Sequence, residues 1–369
     1  MTVRLAVFRD YSAEGWPSMD LCADMLLANL PAAEPRLSAD DVCPRYRTRF
    51  QPLPCIGRNA DRLVNRLWDY PRCARRIATR YDAFHLVDHS YSQLLHALPT
   101  NCVGVFCHDL DTFRCVLDPA AEPRPRWFRA MAKHILSGFA KAAVVFHPSA
   151  EVGRQIVRFG LADESRVVHA PNGTSSEFSA NDDPLTPRPL PTGLPFLLHV
   201  GSTIPRKRID VLLNVFAEVR RGRDIRLVQV GGDWTSEQKA QISRLGIVNV
   251  VTQVRGLSRK ELAGLYREAA LVLQPSEAEG FGLPVVEALA CGAVVVASDI
   301  PVLHEVGGHA TVYCPVSDVA MWTNTVAKLL DGAIAAPLRT ERLAHASKFT
   351  WAQQARTIGA AYLRLLGVS

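Results

Sequence analysis

The sequence predicts an α/β fold of two doubly wound parallel-sheet domains, and three observations carry that prediction. Short apolar runs alternate with longer amphipathic stretches from end to end. The alternation stops once, in a Pro-, Ser-, Asp- and Thr-rich stretch over 174–195, and then restarts. The length, 369 residues, exceeds what one hydrophobic core usually serves.

Each element follows from its pattern. Val3 to Phe8 (VRLAVF) reads as a buried strand, and Met19 to Leu30 as the next helix with Ser18 as its N-cap. Ala83 to Val87 and Cys102 to Cys107 (CVGVFC) are strands. Trp127 to Lys141 is a helix and Ala142 to Phe146 a strand. Ser149 caps a helix through Phe159, with Glu151 favouring the positive end of its dipole. Val167 to Ala170 is a short strand before the turn Pro171-Asn172-Gly173. Beyond the linker, Phe196 to Val200 is a strand, and Arg208 to Arg220 a helix with an apolar stripe at Ile209, Leu212, Leu213 and Phe216. Leu227 to Val230 is a strand, Thr235 to Leu245 a helix, Val248 to Val251 a strand and Arg259 to Ala269 a helix. Leu271 to Gln274 is a strand, Pro284 to Ala290 a helix with proline in its first turn, and Ala293 to Ala297 a strand. Val319 to Leu330 and Trp351 to Leu366 are closing helices. The expected division is 1–173, a linker at 174–195, and 196–349. Ligands of such folds sit outside the carboxyl ends of the strands, so the cleft between two such domains is the expected site.

Composition narrows the class. Hydrophobic residues make up 48% and charged residues 21%, ordinary for a soluble globular protein. The net charge of +6 is too mild for a nucleic-acid binder and suits an anionic substrate or an anionic membrane surface. Nine cysteines, an odd number with no CxxC pair, read as reduced thiols. Met1 to Asp10 has no signal-peptide core, and the longest apolar run, Ala288 to Ala297, is too short to span a bilayer. The expectation is a cytoplasmic protein, soluble or attached to the inner membrane surface. Cys107 beside His108 has no second Cys/His cluster at ligand spacing, so it reads as the end of a buried strand.

The strongest chemical signal is Ser276-Glu277-Ala278-Glu279-Gly280-Phe281-Gly282-Leu283-Pro284-Val285-Val286-Glu287. A strand ends at Gln274, a loop with two glycines follows, and a helix starts near Pro284. Glycines let backbone N–H groups approach a ligand, and a helix N-terminus favours negative charge. Glu279 in the loop and Glu287 about one turn into the helix can face one ligand. A glycine turn with two solvated carboxylates would account for EGFG alone, but not for the whole run in this context. The second signal is Gly201-Ser202-Thr203-Ile204-Pro205-Arg206-Lys207, after the first strand beyond the linker. Adjacent cations there suit a diphosphate, Arg as a fork of donors and Lys as a compact charge. Taken alone, it equally describes a basic surface turn.

EGFGLPVVEALACG resembles the donor-site signature of the family-4 (group 1) retaining glycosyltransferases, with its two carboxylates in E-x7-E spacing. The resemblance implies the GT-B fold, two facing Rossmann-like domains, with the last helix, 350–366, returning to the first domain. It implies that Glu279 lies by the donor sugar, that Glu287 binds the donor ribose, and that backbone amides of Gly280, Phe281, Gly282 and Leu283 contact sugar and phosphates. Arg206 and Lys207 take the phosphate-binding roles, with Gly201 at the start of their loop. Many members carry Arg directly after that glycine; here Ser202 stands there, which leaves its work to Arg206. Val254 and Arg255 fall where members hold the base, and His304-Glu305-Val306-Gly307-Gly308 resembles the loop after the donor motif. No cofactor is implied and no metal is expected, since no DxD pair stands in a strand-end loop of the second half. Asp109-Leu110-Asp111 has that spacing but lies in the first half.

The N-terminal half is expected to present the acceptor. His108 ends a strand where the family often has a histidine near the donor sugar, and it is the candidate hydrogen-bond donor to that sugar; a capping role in the turn is the alternative. His89 is a weaker candidate, with a structural role as the alternative. Gly15 and Trp16 follow the first strand and line the expected acceptor side, without the Gly-Gly pair common there in the family. Residues 31–80 match no family pattern. From Arg58 to Arg80 seven arginines face two aspartates, with Trp68 and Tyr70 between them. This segment suits an anionic membrane surface near a lipid-linked acceptor, or contact with a phosphorylated acceptor; a solvated helix face is the alternative.

The sequence therefore points to hexosyl transfer, mannose-like or glucose-like, from a GDP- or UDP-linked sugar to a glycan or lipid-linked acceptor in polysaccharide biosynthesis. A nucleotide-sugar epimerase of the same architecture and a non-catalytic nucleotide-sugar-binding partner are the alternatives. No nucleic-acid partner is expected.

Overall fold

The computed structural model describes residues 2–50, 56–181, 193 and 195–368. Part of the expected linker, at 182–192 and 194, lies outside the described residues, as does Cys55; the other eight cysteines are free thiols. The chain divides into two compact units, Met1–Gly173 with Trp351–Ser369, and Thr174–Thr350.

The first unit is a six-stranded parallel sheet: β1 (Val3–Phe8), β2 (Leu37–Val42), β3 (Ala83–Leu86), β4 (Val103–Phe106), β5 (Val144–His147) and β6 (Val167–His169). The strand order is β2-β1-β3-β4-β5-β6. β3, β4 and β5 are buried at every residue, which is why they read as continuous apolar runs and need helices on both faces. Those helices are α1 (Pro17–Ala33), α2 (Ile56–Val64), α3 (Tyr70–Ile77), α4 (Arg114–Leu117), α5 (Arg126–Phe139) and α6 (Ala150–Arg158). The order reverses between β1 and β3, so the loops leaving those strands flank the switch point where a doubly wound sheet opens.

Two expectations change here. α1 begins at Pro17, whose missing N–H suits the first helical position, so Ser18 lies inside the helix and caps nothing. The stretch without a pattern, 31–80, contains β2 and a continuous helical run in which Asn65–Asp69 widens to a π-turn between α2 and α3. β2 is an edge strand with mostly exposed or half-buried polar residues, so it lacks the apolar signal. The helical run holds the chain at 47–50: Asp61 accepts the Arg49 N–H at 2.7 Å, and Asn65 accepts the Arg47 N–H at 2.9 Å. Both side chains are buried, so the strap is fixed by satisfied polar groups.

The second unit has β7 (Phe196–Gly201), β8 (Arg226–Gly231), β9 (Val251–Val254), β10 (Leu271–Gln274), β11 (Val295–Ser298) and β12 (Val312–Cys314), again all parallel. Its strand order is β12-β11-β10-β7-β8-β9, with the reversal between β7 and β10. The helices are α7 (Ile209–Arg220), α8 (Ser236–Arg244), α9 (Arg259–Glu268), α10 (Leu283–Ala290), α11 (Pro301–Gly307), α12 (Val319–Leu330) and α13 (Arg339–Ala346). Capping boxes start α8 and α9, Thr235 with Gln238 and Ser258 with Glu261. At the ends of β7 and β8 a side chain on Gly231 would come within 2.1 Å of the Gly201 carbonyl, so only glycine fits there.

The strand expected at Val248–Val251 is instead a 3-10 turn at Val248–Val250, and pairing with β8 starts at Val251. His304–Gly307, expected as loop, belongs to α11, started by Pro301. Within the described part of 174–195, Thr174 bridges to Thr350 and Phe178 packs into this unit's core. The last helix, α14 (Trp351–Leu365), belongs to the first unit. There the buried Tyr362 hydroxyl donates to the Phe84 carbonyl at 2.9 Å and meets His85 Nδ1 at 3.0 Å.

Candidate active site

In the second unit the two loops at the switch point are tied to each other. β7 leads through Ser202–Ile204 into a 3-10 turn at Pro205–Lys207. Arg208 then takes a left-handed backbone (φ 50°), a strained conformation for a residue with a side chain, before α7 starts. Its guanidinium holds Asp210 at 2.8 Å, Glu277 at 3.4 Å and Ser317. From β10 the chain runs to Gly282, whose φ of 103° turns it into α10; a Cβ there would lie 2.8 Å from Leu303. Glu277 N–H donates to the Arg206 carbonyl at 2.9 Å, and the Arg206 guanidinium donates to the Ala278 carbonyl at 3.0 Å.

Glu279 sits where these loops meet. Its Oε1 accepts from Lys207 Nζ at 2.6 Å and Gln274 Nε2 at 2.8 Å, and its Oε2 lies 3.5 Å from Arg206 Nη1. Its side chain is only 6% exposed. Burial would raise its pKa, but Lys207 and Arg206 outweigh burial and hold it at about 2. Glu287, on α10, has the opposite fate: burial pushes it up to about 8, against the hydroxyl of Tyr266 on α9, which donates at 3.1 Å. Two acids eight positions apart are thus held in different protonation states at neutral pH, one by cations and one by desolvation.

The structure brings Glu279, Arg206 and Lys207 into direct contact. Gly201 closes β7, Gly280 and Gly282 flank Phe281, and the Phe281 ring turns into the core against Phe349. Leu283 is the first residue of α10. Val254 ends β9, and Arg255 beyond it pairs with Asp233 in the loop after β8. Sequence reasoning missed Gln274, Tyr266 and Arg208; the signal for Gln274 was a buried polar residue closing an otherwise apolar strand. A cavity of about 490 Å³ opens beside the same turn, lined by Thr203, Arg208, Asp210, Thr235, Gln238 and Glu277, with neither Glu279 nor Glu287 in its wall.

The first unit assembles its own cluster at its switch point. Asp10 and Glu14 follow β1; Asp88, His89 and Ser90 follow β3; His108 and Asp109 follow β4. Asp88 accepts the Ser90 N–H at 2.9 Å and lies 3.1 Å from His89 Nδ1, while His89 Nε2 lies 3.9 Å from Asp109. Asp10 is buried; desolvation and the neighbouring Asp88 push it up to about 10, so it is the protonated member of the pair. Asp88 is held low against burial by His89, His108 and Ser90. His108 Nε2 donates to the Val87 carbonyl at 2.8 Å, and the ring stacks on Phe106 at 4.5 Å. Burial lowers its pKa. The neutral ring therefore keeps its proton on Nε2 and offers Nδ1 as an acceptor, whereas the sequence reading had it donating to a sugar. Gly15 (φ 74°) and the exposed Trp16 lie in the loop between β1 and α1.

Comparison with known proteins bears on the fold and on the second half of the chain. Residues 186–347 match the family described as glycosyl transferases group 1. A D-inositol 3-phosphate glycosyltransferase of Stackebrandtia nassauensis is 31% identical over 263 residues, 66% of this chain and 58% of that protein. The chain thus spans little more than half the length of such curated relatives. Sucrose-phosphate synthase from Thermosynechococcus elongatus superposes with a TM-score of 0.76 over all of both chains, at 20% identity. Anabaena HepE in complex with UDP-glucose does so at 0.69, covering 97% of this chain and 99% of that one, at 18% identity. At such identities these structures speak for the fold alone. Residues 186–347 are similar to the group 1 glycosyltransferases, and the chain that carries them has the GT-B fold.

Proposed function

We propose that the protein is a retaining glycosyltransferase that moves a hexose from a nucleoside-diphosphate sugar to a glycan or lipid-linked acceptor without a metal ion. The observation that carries this reading is Glu279 buried between Lys207 and Arg206, in the loop that leads into α10. A diphosphate leaving group develops negative charge as the glycosidic bond breaks. Two cations fixed beforehand by a buried carboxylate, with the N–H groups that open α10, are electrostatic catalysts for that charge. Glu279, ionised at neutral pH, is no general acid; it orients the cations and accepts hydrogen bonds from donor hydroxyls. Protonated Glu287 beside Tyr266 suits the ribose hydroxyls. HepE, of the same fold, is described with UDP-glucose, and a curated relative is named a glycosyltransferase, which supports the donor class. On the first unit, His108 takes an acceptor's or donor's hydroxyl proton into a hydrogen bond at Nδ1.

The test is a thermal-shift series with UDP, GDP and their sugars, with and without EDTA, since a ligand bound only by the folded state raises its stability. Stabilisation by one nucleoside diphosphate that persists in EDTA is expected. Donor hydrolysis should fall by about two to three orders of magnitude in Glu279→Ala, and NMR of the product should show the donor's anomeric configuration kept. No stabilisation by any nucleoside diphosphate would remove the proposal. Sugar isomerisation without an acceptor would replace it by the epimerase.

We also propose that the segment around Arg58–Arg80 touches an anionic lipid surface. Trp68 is 55% exposed with the Arg72 guanidinium 3.6 Å from its ring centroid, an aromatic and cation combination suited to an interface. Among the described residues no helix is long and apolar enough to cross a membrane. Co-sedimentation with phosphatidylglycerol vesicles at low salt is expected; absence of binding there discards the contact.

A further inference from the structure

We propose that Arg62 and Arg66 form a phosphate-binding site for the acceptor, and that Glu14 is the group this phosphate displaces. The word acceptor rests on the transferase reading; the anion site rests on the geometry alone. Arg62 and Arg66 stand one helical turn apart, and both reach the same oxygen of Glu14, Oε2, at 3.6 and 3.2 Å. The Glu14 side chain is 0% exposed, and its other oxygen, Oε1, has no hydrogen-bond partner among the described residues. A carboxylate buried with one oxygen unsatisfied fits its surroundings poorly. A phosphate offers three oxygens to the same two forks and satisfies them better.

The receptor half of this site stands without Glu14. The Arg66 guanidinium also donates to the Ser90 carbonyl at 2.5 Å and the Ser90 hydroxyl at 3.0 Å, and lies 4.1 Å from the centre of the Tyr91 ring. The occupying half is a short turn. Glu14 closes a three-residue 3-10 turn, Gly15 follows with φ 74°, and Trp16 beyond it is 52% exposed. The site lies at the loops leaving β1 and β3, where the strand order of the first unit reverses and where such sheets take ligands.

The charge of the segment that carries both arginines favours anions. From Cys43 to Arg80 the sequence has ten arginines, two aspartates and no other charged residue, a net +8. The chain as a whole is +6, so everything outside this segment sums to −2. One of the two aspartates, Asp69, is paired with Arg49, and the other, Asp61, is turned to backbone N–H groups. Asp10, the nearby acid of the cluster, is held protonated by burial and by Asp88, whereas Asp88, which accepts from Ser90 and acts on Arg66, is ionised and is the charge an arriving anion must overcome. An excess of positive charge in the segment that carries two convergent arginines raises the local concentration of a phosphate ester.

The experiment titrates wild type, Glu14→Gln and Arg62→Gln with methyl phosphate and, separately, with vesicles of phosphatidic acid in neutral lipid. Arg66 is left intact because it also holds Ser90 and Tyr91. Removing the competing carboxylate charge should tighten phosphate binding by about tenfold, and removing Arg62 should weaken it by a similar factor. Binding of methyl phosphate in this order assigns a soluble phosphoester. Binding of vesicles alone, in the same order, assigns a lipid phosphate. Equal affinities in all three proteins, or no binding of either probe by Glu14→Gln, overturns the site. Titration of wild type with UDP reads the second unit separately. If UDP fails to bind while the variants order phosphate as expected, the transferase reading falls and the anion site stands. If UDP binds and the phosphate order is absent, the reverse holds.

Discussion

The two units answer one architectural problem with different chemistry. Each reverses its strand order once and gathers buried carboxylates at that point. Each holds one acid low and another high: Glu279 at about 2 and Glu287 at about 8 in the second unit, Asp88 low and Asp10 at about 10 in the first. The sources of the low value differ. Glu279 is held by two cationic side chains, Arg206 and Lys207. Asp88 is held by two histidines and a hydroxyl, groups whose charge depends on pH or is absent. Cationic side chains suit a site that must stabilise negative charge on a leaving group. A titratable network suits a site that positions a neutral hydroxyl. The difference teaches that a shared fold fixes where polar groups collect, while side-chain identity decides what the collection does.

The sharpest way to break the comparison is to remove a cation. Lys207→Ala leaves Glu279 buried with only Arg206, at 3.5 Å, to compensate it. The expected loss is about 3–5 kcal/mol of unfolding free energy in urea denaturation, because a buried charge has lost its nearest partner. Lys207→Ala with Glu279→Gln should recover a large part of it, and the double-mutant cycle measures the coupling. If the two losses simply add, the ion pair is not what organises the site.

The next effect is a pH dependence. Glu287 in the folded protein titrates near 8 against an ordinary 4.5, so the folded state holds its proton more tightly. Its contribution is fully present below pH 4.5 and is lost as pH rises toward 8. Glu279, depressed to about 2, has the opposite sign: its contribution is present above pH 4.5 and is lost as pH falls toward 2. Thermal unfolding of wild type should therefore decline from pH 5 to 8 more steeply than that of Glu287→Gln. Parallel curves would show that Glu287 is already ionised at neutral pH.

A smaller effect follows from Gly282. Alanine there must adopt φ 103° and place its Cβ 2.8 Å from a flexible leucine tip. The cost is about 1–3 kcal/mol of stability, measured by urea titration, and donor affinity should fall with it because α10 starts at this residue. Unchanged stability and UDP affinity would mean that the loop shifts freely.

How much of this was legible depended on where the residues stand in the chain. The second site is written in two short contiguous segments, 201–208 and 276–287, so each could be seen as a loop ahead of a helix. Glu279, Arg206 and Lys207 were readable for that reason. The first site is assembled from residues after β1, β3 and β4 and from the helical run at Arg62 and Arg66, and no local window contains it. His89 and His108 were visible because each lies within three residues of the end of an apolar strand. Glu14 and Arg66 were not, because their meeting depends on how α2 and its π-turn lie over the loop after β1. β2 stayed hidden because an edge strand needs little apolar patterning. The Val248–Val254 segment shows a register limit: a run of β-branched residues marks a strand, but not which of them pair.

The smallest expected effect tests the first unit most directly. Asp10→Asn replaces a protonated acid by a neutral group of the same shape that can also donate toward Asp88. If Asp10 carries the proton of the pair, this change alters stability by less than about 1 kcal/mol at pH 7. At pH 9 the wild type approaches ionisation of Asp10, raised to about 10, and the asparagine protein does not. The variant should then be the more stable of the two, with the gap widening as pH rises. Were Asp10 charged at neutral pH, Asp10→Asn would relieve repulsion from Asp88 and stabilise the protein already at pH 7. The pH at which the two melting curves separate therefore reports which member of the pair holds the proton, and whether the first unit keeps its acids apart as the second does.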